Sequence, residues 1–253
     1  MTLREIEEKY RITADYHTHS VYSCVGPYYH GKGSIMENVK AAHEKGLSEV
    51  AITDHGPSDF YGLDLRRIPE MRKDIEEAEK AYPDVKVLLG VEADIVDSEN
   101  GLDVTDSDFE LFDFVNAGYH YVPNSHMLEN FASFHSPVSE KKREKLRKKN
   151  TLRILKALKN NKIKILTHPG DKAYIDEKLV AMACAETGTL VEINARHRHP
   201  NAEDLRIYAA HDVSFVISSD AHKPENVGRY AKSLALAFEA GIDIERIVNI
   251  EKR

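Results

Sequence analysis

Residues 13–23 read TADYHTHSVYS, with His17 and His19 two apart at the end of an alternating apolar stretch. Along a β-strand, residues i and i+2 project to the same side. The pair therefore offers two imidazoles to one point, as a metal ion requires. Two hydrogen-bonded histidines in a polar pocket would read the same way, so the rest of the chain has to decide.

Working outward, the strand candidate ITADYH (12–17) is followed by six more. They are SEVAITDH (48–55), VKVLLGVEADI (85–95), FDFVNAGYH (112–120), KIKILTHPG (162–170), GTLVEIN (188–194) and VSFVISSDAH (213–222). Amphipathic helical segments lie between them. In GSIMENVKAAHEKG, Ser34 and Glu37 make a capping-box pattern and Gly46 suits the helix end. RIPEMRKDIEEAEKAYP places Pro69 in a first turn and Pro83 beyond a last one. Residues 139–161, 176–188 and 202–212 supply further helices. Strand then helix, read as repeating seven times, implies a parallel sheet with helices outside. At 253 residues a closed or nearly closed α/β barrel, one domain over 1–253, is the simplest version.

Composition narrows the classes. A 42% hydrophobic content allows a sizeable core, and a net charge of −7 argues against non-specific nucleic-acid or anionic-membrane binding. The opening MTLREIEEKYR lacks an apolar signal-peptide core, and no run reaches the ~20 apolar residues that span a bilayer. Two cysteines, Cys24 and Cys184, suit a reducing cytoplasm. The basic run 141–149 reads as the solvated side of one amphipathic helix whose apolar stripe is Leu146, Leu152, Leu155 and Leu158.

The strand ends carry the chemistry. They hold His17 and His19, His55, Glu92, His120, His168, and finally Asp220 and His222. In a parallel barrel these ends share one face, where active sites sit. Folding alone would put Val, Ile or Leu there, because burying unpaired imidazoles and carboxylates is costly. Nitrogen and oxygen donors without thiolates suit Zn²⁺, Mn²⁺ or Fe²⁺. So many groups exceed one tetrahedral shell and imply two or three ions.

In order, DYHTHS, AITDHGP, GVEADI, AGYH, THPGD, EIN and SSDAH resemble the PHP (polymerase and histidinol phosphatase) superfamily, from about residue 12 to 250, and especially its small stand-alone bacterial phosphoesterases. The resemblance implies a distorted (β/α)7 TIM-like barrel with three divalent ions. One ion would be held by His17, His19, Glu92 and Asp220. A second would share Glu92 and add His120 and His168, and a third would take His55, His222 and one more ligand. Relatives place a His or Asp about six residues after the HxH, where this chain has Val25, so the last position falls to His30 across an apparent insertion, SCVGPYYHGKGS. Cys24 reads better as a buried small residue.

A phosphate needs fixed planar donors, which Arg supplies. In EINARHRHP, Arg196 lies nearest the strand end and is the expected phosphate anchor, with Arg198 and Lys32 as further candidates. His43 and His211 need no functional role. His126 and His135 fall in a segment, 121–139, that suits a rim of the mouth, and Asp54 and Thr53 suit orientation of His55. The expected chemistry is hydrolysis of a small phosphorylated metabolite by a hydroxide bridging the metals, with Glu92, Asp220 and Arg196 as catalytic groups. Histidinol phosphate is the specific alternative; a phosphodiesterase or exonuclease and a non-catalytic metal-binding domain are the others. An amidohydrolase would expect a Lys at the end of strand four, where this chain has NAGYH.

Overall fold

The computed structural model describes residues 2–121, 130, 131, 133 and 137–253. Seven parallel strands follow one another in chain order: β1 (Ala14–Thr18), β2 (Glu49–Ile52), β3 (Lys86–Asp94), β4 (Phe114–Gly118), β5 (Ile163–Leu166), β6 (Leu190–Asn194) and β7 (Phe215–Ser218). The β-branched residues that recommend these segments as strands are their buried ones: Val50, Ile52, Val91, Ile165, Val191, Ile193 and Ile217 are all fully covered. Helices α1 (Leu3–Lys9), α2 (Ile35–Glu44), α3 (Ile68–Ala81), α4 (Glu140–Asn160), α5 (Glu177–Thr187), α6 (Ala202–Ala209) and α7 (Ala231–Ala240) accompany them. The Ser34–Glu37 capping box is present, and Gly46 takes the left-handed conformation after α2, with φ at +72°.

The barrel is nearly closed. β1 and β7 share no ladder; Thr18 and Ala221, just past β7, form a single parallel bridge. Buried side chains stitch the seam instead. The Nδ2 of Asn249 donates to the carbonyls of Ala14 and Ile217, each at 2.7 Å, and its Oδ1 accepts from Ile217 N at 3.0 Å. Asp15 accepts from Ser219 N at 3.1 Å and Gly228 N at 2.8 Å.

Three sequence expectations change. ITADYH is not one strand: Tyr10–Ile12 pairs antiparallel with Ile250–Lys252, and the ladder restarts at Ala14 because Thr13 N turns to Asn249 O. Between β3 and β4 there is one 3₁₀ turn, Asp108–Leu111, and no α-helix. The intervening segment is rich in Asp, Ser and Asn that bond their own backbone, such as Ser98 to Leu102 O. In α4, Leu152 is 66% exposed, and the buried face runs through Leu146, Asn150, Arg153, Ile154, Ala157 and Leu158. Asn150 and Arg153 are covered because Tyr119 Oη donates to Asn150 at 2.7 Å and Arg153 pairs with Asp97 at 2.7 Å, and buried Thr151 donates to Arg147 O at 2.7 Å. Helices α1 and α7 are additions to the sequence reading.

Replacing Asn249 with Ala leaves the peptide groups of Ala14 and Ile217 unpaired in the seam. We expect a stability loss of about 2–4 kcal/mol, measured as a lower urea midpoint at unchanged slope. An unmoved midpoint would mean that other contacts hold the barrel shut.

Candidate metal centre

β1 carries a register irregularity between Asp15 and Thr18, and His17 sits within it. Such bulges re-aim side chains, and here His17 and His19 reach the same interior point, with their Nε2 atoms 3.1 Å apart. The other groups arrive from successive strand ends: His55 after β2, Glu92 within β3, His120 after β4, His168 after β5, and Asp220 and His222 after β7. All are buried, none more than 8% exposed.

Glu92 is their meeting point. Its Oε1 accepts from Thr167 Oγ1 at 2.7 Å and lies 2.9 Å from His168 Nε2 and 3.4 Å from His120 Nε2. Its Oε2 faces a different set: His17 Nε2 and His55 Nδ1, both at 3.1 Å, and His19 Nε2 at 3.6 Å. Despite that crowd, Oε2 makes no hydrogen bond, and neither does Asp220 Oδ1, which lies 3.2 Å from both His19 Nε2 and His222 Nδ1. A buried carboxylate oxygen left unpaired among imidazole nitrogens is expensive. Divalent cations resolve it, and the donor set, all nitrogen and oxygen, fits them.

The strain around these groups points the same way. His168 and Asp220 are the only non-glycine residues among those described with positive φ, at 27° and 49°. Gly118 is needed where a Cβ would come within 2.6 Å of His120 Cε1 and 2.9 Å of Glu92 Oε1. At Gly31 a Cβ would come within 2.1 Å of Ser20 O; this close approach carries His30 over the site, its ring 4.3 Å from that of His222 and 5.3 Å from that of His55.

Behind these groups lies a second layer of carboxylates, of which the sequence places Glu192 at the mouth end of its strand without a role and gives no sign of Asp94. Glu192 Oε1 takes His17 Nδ1 at 2.8 Å, while its Oε2 accepts from the strained His168 N at 2.7 Å. Asp94 Oδ1 takes His120 Nδ1 at 2.6 Å. With each Nδ1 turned to its carboxylate, the Nε2 atoms of His17 and His120 face the centre, which is how carboxylates orient metal-binding histidines. His197 is also drawn in, between Asp171 Oδ2 at 2.8 Å and Asp220 Oδ2 at 2.9 Å.

The ionised carboxylates draw positive charge to the centre. Burial pushes the Glu92 and Asp220 carboxyls up, but the imidazoles around them, His17 foremost, hold both well below the ordinary carboxylate range. Burial, then His222 and His55, drives His19 well below its usual value and brings His30 down to about 3. Burial pushes the His17 and His120 rings down, but Glu92 and the carboxylates behind them hold both well above the usual imidazole value, so the ionised carboxylates stand among rings of both kinds.

The remaining candidates divide. Arg196 lines the mouth and reaches Asp220 Oδ2 at 3.4 Å. Arg198 is exposed and outside the cavity wall, and Lys32 points to Tyr29 O at 2.6 Å beside a neighbouring hollow. Lys172, which the sequence reading passed over, is the second cation in the wall. Asp54 does not orient His55; it ties down Ser20 and Ser23, each at 2.6 Å, in the segment after His19. His43 pairs with Asp84 on the surface, and His126 and His135 lie outside the described residues.

Residues 15–205 match the PHP domain family. The chain belongs to that family. A PHP relative from Thermoanaerobacter sp. (strain X514), named a probable phosphatase, is 30% identical over 95% of this chain and 91% of its own length. One from Acetivibrio thermocellus, with the same name, is 28% identical over 94% and 91%. The crystal structure of the histidinol phosphate phosphatase of Lactococcus lactis, complexed with zinc, L-histidinol and phosphate, shares the fold. It superposes with a TM-score of 0.59 at 19% identity, over 91% of this chain and 94% of that one.

If the PHP strand ends hold cations, Glu192→Gln should weaken divalent-metal binding about 10- to 100-fold in calorimetric titrations, with the far-UV spectrum unchanged. Unaltered affinity would show that His17 needs no carboxylate behind it.

Proposed function

We propose that this PHP chain is a metal-dependent phosphomonoesterase acting on a small phosphorylated metabolite. The observation that carries the reading is Glu92, whose two oxygens face separate sets of imidazoles while Oε2 stays buried without a hydrogen bond. The phosphatase names of the 30% and 28% identical relatives support the same reaction class.

In this reading His17, His19, Glu92 and Asp220 hold one ion; Glu92, His120 and His168 hold a second; and His30, His55 and His222 hold a third. When bound, divalent ions of this kind supply Lewis acidity toward phosphoryl oxygens and make water nucleophilic at neutral pH. The protein's own part is to place the ester. Arg196, 44% exposed and loosely tied to Asp220, is free to offer its guanidinium to a phosphoryl oxygen. Lys172 adds positive charge in the same wall, though Asp171 Oδ2 shares its Nζ at 2.7 Å. Glu192 and Asp94 keep the His17 and His120 rings from turning as the substrate binds. The mouth, about 300 Å³, suits a small ester better than a polymer.

The test is phosphate release from histidinol phosphate, a sugar phosphate, a nucleoside monophosphate and an aryl phosphate, with Mn²⁺ or Zn²⁺ and again after chelation. Chelator-sensitive release is expected, falling to the chelated background in Glu92→Ala. Arg196→Ala should raise KM about 10- to 100-fold, the worth of a charged hydrogen bond. Full activity in Glu92→Ala, or turnover of diesters alone, would overturn the assignment.

A further inference from the structure

Two cavities meet at the mouth and share one side chain. The histidine-lined cavity contains Phe60, Tyr61 and Tyr121 beside Arg196 and Lys172. A neighbouring hollow, also about 300 Å³, is lined by Pro27, Tyr28, Tyr29 and again Tyr61. Phe60 is 60% exposed, Tyr28 70% and Tyr29 47%. Single exposed aromatics need no explanation, but Phe60 lines the cavity that also gathers the candidate metal ligands, and Tyr28 and Tyr29 line the hollow beside it.

The segment bearing Phe60 and Tyr61 is firmly held. Gly56 N donates to Glu92 O at 2.8 Å, Ser58 N to Asp103 Oδ2 at 2.8 Å, Tyr61 N to Asp59 Oδ1 at 2.8 Å, and Leu63 N to His55 O at 2.9 Å. Phe60 stands edge-on to Tyr61, with centroids 5.0 Å apart at 86°, and Tyr61 lies flat on His30, 4.7 Å away at 12°. A fixed aromatic surface with its ordering already complete favours a flat partner, because offset and edge-to-face contacts suit π systems and little freedom is lost on binding. The phosphate-attracting cations occupy the same cavity.

We propose that Phe60 and Tyr61 form a stacking platform for a flat ring in the alcohol portion of the ester, giving preference to aryl phosphates or nucleoside monophosphates over aliphatic and sugar phosphates. The proposal rests on the phosphomonoesterase reading and extends it to the leaving group. The two ring sources differ in reach: in an aryl phosphate the ring is on the ester oxygen, and in a nucleotide it is a sugar away.

The experiment compares kcat/KM for phenyl phosphate, a nucleoside 5′-monophosphate and glycerol phosphate in wild type, Phe60→Ala and Phe60→Tyr. Calorimetric affinities for phenylphosphonate and methylphosphonate are measured alongside. Wild type should favour at least one ring ester. Phe60→Ala should cut the ring-to-aliphatic ratio about tenfold, as stacking on an aromatic side chain predicts, and Phe60→Tyr should restore it. Whichever ring ester loses its advantage identifies the reach. A wild-type ratio near one, or a ratio unmoved by Phe60→Ala, would overturn the platform while leaving the phosphatase reading intact. No release from any ester would overturn that reading instead, and the phosphonate ratio would then decide the platform alone.

Discussion

A single carboxylate placed inside a β-strand dictates much of this molecule. Glu92 is fully buried in β3, and a charge in that position requires partners on every side. Four other strand ends bring imidazoles to it, Thr167 supplies a hydroxyl, and Gly118 on the adjacent strand gives up its side chain to make room. Because neighbouring strands present residues at fixed heights, a parallel barrel meets these demands with single residues at successive ends. The register places Glu92 opposite Asn116 and bridges it to His55, so the pairing that builds the sheet also sets the spacing of the centre.

The second requirement is that the rings do not turn. An imidazole has two nitrogens, and a centre built on one needs the other occupied. Glu192 and Asp94 do this for His17 and His120. Glu192 also holds the backbone of His168, so one side chain fixes a ring from β1 and a loop after β5. The price is a concentration of negative charge that packing residues cannot offset, and divalent ions are the natural counterweight.

Much of this was legible in the sequence because burial is selective. Apolar runs that end in His, Asp or Glu contradict ordinary core composition, and that contradiction pointed to the barrel and to the imidazoles that gather at Glu92, while the Thr167 hydroxyl went unread. His30 was found only by counting across an insertion; Gly31, which permits the close approach, marks it more physically. Asp94 stayed hidden, and Glu192 could be placed at the mouth but given no role, because an acid two residues along a strand from another polar group is unremarkable until the ring it touches is known. The single strand expected over residues 12–17 failed at Thr13, where a distant residue, Asn249, captures the backbone; no local pattern reports such a partner. The missing helix after β3 was foreseeable from its Asp, Ser and Asn, which favour turns over helices.

The left-handed backbone at His168 and Asp220 bears on how such a protein changes over generations. Each is held in a conformation that an L-residue adopts at a cost of about 1–3 kcal/mol, and glycine would adopt both freely. Against that stands what glycine would remove, the buried His168 ring beside Glu92 and the Asp220 carboxylate between His19 and His197. The strained backbone is thus kept only while those side chains are needed, and glycine at either position would mark a descendant that has given up its candidate metal ligand.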